Sequence, residues 1–267
     1  MIGAVAGDII GSVYEHDRIK TKDFALFSPR SSFTDDSVLT IAIAKATLED
    51  HDYKRAVWEM GRKYPQAGYG GSFIQWLRSG DPKPYGSWGN GAAMRVSPIG
   101  FAFDDADTVL LEATRTALIS HDHPEGIKGA QATALAVFLA RTTRNKTRVK
   151  EEVAGRFGYD LNPTIEEIRP TYGFDESCQG TVPQALTCFL ESTSFEDAVR
   201  NAVSLGGDSD TLACIAGGIA EAHFQEIPLS VLREVRSRLT RELWDVSLRF
   251  YKAHGISGIA GQMDALG

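Results

Sequence analysis

Cysteine is scarce in this chain of 267 residues: Cys178, Cys188 and Cys214 are odd in number and show no paired ligand spacing. That excludes a disulfide framework and a thiolate metal site, and it fits a reducing compartment. Basic charge is thin as well. Lys and Arg total 28 against 35 Asp and Glu, a formal net charge of -7, with no basic stripe of the kind a nucleic-acid groove needs. Long apolar runs are missing. The opening MIGAVAGDIIGS is interrupted by Asp8 and no basic segment precedes it, so neither a signal peptide nor a membrane span is expected. No serine sits in a nucleophile-elbow pattern, which disfavours a Ser-His-Asp hydrolase. Strand-like alternation is rare, and there is neither an internal repeat nor a low-complexity tract.

What is present is apolar side chain at helical spacing. A hydrophobic content of 43% suffices for one substantial core. The pattern predicts helices over 2–12, 38–48, 53–63, 73–78, 107–119, 126–141, 184–191, 194–204, 211–224 and 229–244. A further helical stretch over 92–103 is interrupted at Pro98. A Gly/Pro-rich loop spans 81–91. The charged run 144–152 and the Pro/Gly-bearing run 162–175 read as a surface excursion. The expectation is one all-α domain over residues 1–267.

Two acidic clusters stand out, each at the start of an apolar helical run. In FTDDSVLT, Thr34, Asp35 and Asp36 occupy an N-cap position, and capping alone accounts for much of that pattern. In SLGGDSDTLACIAGG, Asp208, Asp210 and Thr211 put two carboxylates and a hydroxyl where one cap needs one acceptor. Carboxylates packed so closely repel one another unless something positive sits among them. Neither cluster has a basic neighbour in sequence. Oxygen-only ligands point to hard cations, and several shared carboxylates point to a pair of ions about 3.5–4 Å apart. Asp8, Asp17 and Asp122 are further acidic residues that sequence reasoning does not promote.

The loop KPYGSWGNGAAMR carries Gly86, Gly89 and Gly91. Its backbone amides are candidates to cradle a phosphate, although a plain turn has the same composition. Trp88 and Asn90 suit contact with a base or ribose, and Trp88 equally suits a core. His121 and His123, in SHDHPEG, read on residue type alone as solvated loop histidines.

Together, GAVAGDIIGSVYEHD, FTDDSVLT, YGSWGNGAAMR, SHDHPEG and GGDSDTLACIAGGIAEA resemble the ADP-ribosylglycohydrolase family along nearly the whole chain. The second acidic cluster departs mildly, reading DSD where the family more often has DTD, and the rim formed by the 144–175 stretch is left unassigned. The resemblance implies a compact orthogonal helical bundle with a dinuclear Mg²⁺ or Mn²⁺ cleft. Thr34, Asp35 and Asp36 would ligate from one side, and Asp208, Asp210 and Thr211 from the other. Glu15 would be a mobile ligand, with Glu15, Asp35 and Asp36 as the catalytic carboxylates. Gly86, Ser87, Trp88, Gly89 and Asn90 would lie against diphosphate and ribose, and His121 beside the ligand.

The implied partner is ADP-ribose or an ADP-ribosylated protein, with nucleic acid entering only as a modified target. The implied enzyme is a cytoplasmic monomer cleaving the glycosidic bond to an O-linked target such as serine, or to arginine. A catalytically silent ADP-ribose-binding protein and a dinuclear phosphoesterase are the alternatives.

Overall fold

The computed structural model describes residues 1–267, the side chain of Ser257 excepted. Among the described residues there are sixteen helices and no strand. They are α1 Ile2–Gly11, α2 Asp35–Leu48, α3 Tyr53–Lys63, α4 Gly71–Arg78, α5 Gly91–Met94, α6 Ser97–Ala102, α7 Ala106–Leu118 and α8 Pro124–Thr143. The chain continues with α9 Lys146–Phe157, α10 Ile165–Ile168, α11 Cys178–Leu190, α12 Phe195–Val203, α13 Ser209–Phe224, α14 Leu229–Arg238, α15 Arg241–Ala253 and α16 Ser257–Asp264. No helix among the described residues is long and apolar enough to cross a membrane.

The centre of the fold is the pair α1 and α13. Every residue of α1 is buried, and so is nearly all of α13. Gly3, Gly7 and Gly11 recur every four residues and so share one face of α1. Gly3 lies against Gly217, Gly7 against Ala213 and Gly11 against Ser209 and Asp210, so the two helices run antiparallel with their backbones almost touching. A methyl group at Gly7 would sit 2.0 Å from the Ala213 carbonyl oxygen. This arrangement has one consequence for function: it puts the C-terminal end of α1 beside the first turn of α13. The helix α2 packs on α1 and is backed by α15, while α8, α11 and α12 close around α13.

Several boundaries differ from the sequence expectation, each for a local reason. The run 229–244 is two helices, because Thr240 takes an extended conformation and caps α15 by accepting the Leu243 amide at 3.3 Å. The run 92–103 is also two helices, α5 and α6, and Pro98 sits in the first turn of α6, where its missing N–H is not needed. The helix α11 starts at Cys178, well before Pro183, which it accommodates internally.

Half of the excursion at 144–175 is helix, in α9 and α10. Asn145 caps α9, and Gly158 ends it in the left-handed conformation. Thr164 and Glu167 form a capping box on α10.

Candidate active site

The first acidic cluster is organised by a residue that sequence reasoning passed over. Asp8 is fully buried in α1, and its carboxylate accepts from the Thr34 amide at 2.9 Å, the Thr34 hydroxyl at 2.7 Å and the Ser37 amide at 3.1 Å. The Ser37 hydroxyl also donates to it. Asp8 therefore holds the first turn of α2 against α1. Burial pushes its carboxyl up to about 6, against the opposing pull of those hydrogen bonds. The signal was in the sequence: one carboxylate in an otherwise apolar helix must find donors if it is buried.

Thr34 is the N-cap of α2, and its hydroxyl accepts the Asp36 amide at 3.3 Å. The neighbouring Asp35 amide bonds the Ala67 carbonyl at 2.7 Å. Burial first, then repulsion from Asp8 and Asp208, pushes the Asp35 carboxyl up to about 8. Asp36 is only 2% exposed, and its Oδ1 has no hydrogen-bond partner among the described residues. Its other oxygen accepts the Thr211 hydroxyl at 3.5 Å. Burial, followed by Asp8 and Asp35, holds it well above the usual carboxylate range.

The second cluster arrives on α13. Gly206, in the left-handed conformation at φ +64°, turns the chain, and Gly207 lies under the Tyr172 ring, where a methyl group would be 2.4 Å from the ring carbon. Asp208 accepts from Asn90 Nδ2 at 2.7 Å, and the same nitrogen lies 3.1 Å from the Thr181 hydroxyl. Asp210 is held well above the usual range by burial and by Asp208. Glu15, half-buried in the segment after α1, is raised by burial and by Asp208.

These carboxylates form two trios. Asp8, Asp36 and Asp210 can bring one oxygen each within 4.8 Å of one another, as can Glu15, Asp208 and Asp210. Asp210 belongs to both. Asp35, Thr34 and Thr211 line the same cleft. Among the described residues no Lys or Arg pairs with this group, and the one basic side chain within 4 Å is the exposed His16, whose Nδ1 lies 3.7 Å from Glu15. An unpartnered buried oxygen, several carboxylates forced above their ordinary range and an all-oxygen donor set fit a hard divalent cation.

The cleft encloses about 480 Å³ and is lined by both the carboxylates and the glycine loop. The loop is tied down from outside. The Asn90 amide bonds the Glu176 carbonyl at 2.7 Å, and the Cys178 amide bonds the Trp88 carbonyl at 3.0 Å. The Gly86 amide bonds Asp122 at 2.6 Å, and the Gly89 amide bonds the Ser87 hydroxyl at 3.1 Å. Among the described residues the amides of Ser87, Trp88 and Gly91 make no such bond. Only part of the loop therefore has amides to offer an anion, fewer than the glycine spacing suggested. Trp88 is 45% exposed at the cleft mouth, which removes the alternative of a core residue. His121 is buried in the cleft wall, not solvated.

The excursion also reaches the site. Phe174 lines the same cleft, with the Arg18 guanidinium 4.9 Å from its ring centre. Lys20 Nζ donates to the carbonyls of Arg169 at 2.8 Å, of Tyr172 and of Leu205. That one ammonium ties the Glu15 segment to the rim formed by residues 169–176.

The model of the family described as ADP-ribosylglycohydrolase matches residues 1–257. The mouse protein "ADP-ribosylhydrolase ARH3" is 26% identical over 312 residues, covering 86% of this chain and 84% of that one. The human protein of the same name is 26% identical over 304 residues, covering 84% of each. An uncharacterized protein of Archaeoglobus fulgidus is 30% identical over 182 residues, 61% of this chain and 60% of its own. Among solved structures, a chain of an "ADP-ribosylglycohydrolase-related protein complex" superposes with a TM-score of 0.72 at 23% identity, covering 94% of this chain and 95% of that one, which establishes the shared fold. With the family match spanning nearly its whole length, the chain belongs to the ADP-ribosylglycohydrolase family, hydrolases that act on glycosidic bonds of ADP-ribose.

Proposed function

We propose that the chain is a divalent-cation-dependent hydrolase that cleaves the bond between the distal ribose of ADP-ribose and an oxygen of a modified target such as serine. The observation that carries the cation dependence is the doubled carboxylate set, two trios sharing Asp210, with the buried Asp36 Oδ1 left without a partner. Thr34, Asp35, Asp36, Asp208, Asp210 and Thr211 would hold two Mg²⁺ or Mn²⁺ ions, joined by Asp8 and by Glu15. When bound, the ions would supply Lewis acidity and a grip on the vicinal ribose hydroxyls.

The protein's own groups do the rest. Cleavage of a ribosyl bond passes through an oxocarbenium-like state, which needs a proton for the leaving oxygen and a correctly held sugar. Glu15 is the group suited to carry that proton once it is released from a cation, because burial and then Asp208 raise its carboxyl above the ordinary glutamate range. Asn90 holds Asp208 in position through its side-chain amide. The free amides of Ser87 and Trp88 suit the diphosphate, offsetting the negative charge of the chain, and the exposed Trp88 indole suits a base or ribose face. Gly86 and Gly89 let the loop approach the ligand, and His121 borders it. The three buried, unpaired cysteines accord with a cytoplasmic enzyme. We take residues 1–267 as one domain acting as a monomer.

The test is release of free ADP-ribose from serine-linked and arginine-linked peptides with Mg²⁺, with Mn²⁺ and with a chelator. Release that needs the cation and favours the serine linkage is expected. Undiminished release in chelator would overturn the cation dependence, and preference for arginine would overturn the linkage. Cleavage at the pyrophosphate would make the protein a phosphoesterase. Binding of ADP-ribose without turnover of either peptide would make it a binding protein.

A further inference from the structure

Behind the cleft wall lies a buried cation with no carboxylate partner. Arg95 follows α5, is fully buried, and borders the cleft. Its Nη2 donates to the Thr116 carbonyl at 2.8 Å and to Ser120 Oγ at 2.9 Å, which uses both protons of that nitrogen. Ser120 Oγ in turn lies 2.8 Å from His121 Nδ1. These three contacts determine where the protons are. A guanidinium only donates, so the serine oxygen accepts from it. The serine has one proton, and among the described residues His121 Nδ1 is the one acceptor within its reach, so Nδ1 accepts and no buried hydroxyl proton is left without a partner.

An Nδ1 that accepts leaves the proton of a neutral imidazole on Nε2. That atom faces the glycine loop. It lies 3.1 Å from the position a side-chain carbon would take at Gly91 and 3.6 Å from the one at Gly89. The adjacent charged or titratable groups are Arg95, whose charge disfavours imidazolium, Tyr85 over the ring, and Asp122, which is engaged by the Gly86 amide. Burial and Arg95 both keep His121 neutral.

We infer that Arg95 and Ser120 are positioning residues that lock His121 as a neutral imidazole presenting Nε2–H to the ligand, so that His121 serves as a fixed hydrogen-bond donor and not as an acid or base. The relay deepens the functional reading given above and rests on it for the identity of the ligand, while its proton assignment stands independently. It also accounts for the fully buried Ser120. A serine on a turn between two helices would otherwise be a plain surface residue.

The test has two readouts on the full chain. In ¹⁵N-histidine-labelled protein, the imidazole nitrogen shifts of His121 report which nitrogen carries the proton. The wild type should show Nε2–H with Nδ1 unprotonated. Ser120→Ala should give a mixture of tautomers or the reverse one, and Ser120→Thr, which keeps the hydroxyl, should restore the wild-type pattern. Calorimetry with free ADP-ribose should show Ser120→Ala weakening binding roughly 5-fold, the worth of one hydrogen bond, with Ser120→Thr near wild type. A wild-type Nδ1–H tautomer, or a Ser120→Ala spectrum unchanged from wild type, would overturn the relay. The expected tautomers with no ADP-ribose binding in any variant would instead remove the ligand assignment and leave the relay intact.

Discussion

Replacing Asp36 by Asn should make the cation-free protein more stable and the cation-loaded protein less so. Asp8, Asp36 and Asp210 can bring oxygens within 4.8 Å of one another. Two unit charges at that separation repel by about 3.5 kcal/mol at an effective dielectric of 20. The native site relieves part of this by taking up protons: Asp8 is raised to about 6 and Asp35 to about 8. Between the ordinary carboxylate range and those values, the folded chain holds protons that the unfolded chain has released. Stability of the cation-free protein therefore falls as pH rises through that window.

Near pH 8.5, Asp36→Asn should recover about 2 kcal/mol of the repulsion, seen as a rise in Tm of about 4–8 °C in chelator. Near pH 4 the gain should vanish. Cation works the other way. Each ion held at a hundred times its Kd adds about 2.7 kcal/mol to the wild type, and the variant should lose at least one ion's share. Differential scanning fluorimetry with chelator and with Mn²⁺, across pH, measures all of this. A variant no more stable than wild type in chelator at pH 8.5, or one with the full cation response, would refute the reasoning.

Other perturbations probe the framework. Gly7→Ala puts a methyl group 2.0 Å from the Ala213 carbonyl oxygen and must push α1 from α13; a loss of about 3 kcal/mol or more is expected in urea unfolding. Lys20→Met removes the donor to three carbonyls; stability should drop by about 1–3 kcal/mol, with faster hydrogen exchange in residues 12–33 and 169–176. Trp88→Ala should weaken ADP-ribose binding about 10-fold or more, as loss of a base-stacking face does, while leaving Tm unchanged because the ring is exposed.

The helical character and the two acidic helix starts were legible because both are local patterns. Asp35, Asp36, Asp208 and Asp210 announced themselves by crowding charge where a single cap was needed. That they meet came from the family resemblance and not from any local pattern, since the meeting depends on the antiparallel contact of α1 with α13, set by Gly3, Gly7 and Gly11 against partners some 200 residues away. For the same reason Asp8 read as an interruption of an apolar helix, when it is the residue that pins α2 in place. His121 read as a solvated loop residue because nothing local shows the Arg95 and Ser120 behind it. The 144–175 stretch hid α9 because charge on its exposed face outweighed the buried Val149 and Val153. Thr240 split one apparent helix in two, a capping signal masked by the apolar periodicity running through it.

The central claim is that Asp210 belongs to two cation sites at once, and counting ions tests it most directly. Mn²⁺ titration followed by electron paramagnetic resonance should give two ions per wild-type chain with the spectrum of a coupled pair, and Asp210→Asn should lose both. One ion per chain, or an Asp210→Asn variant that still binds a full pair, would contradict it.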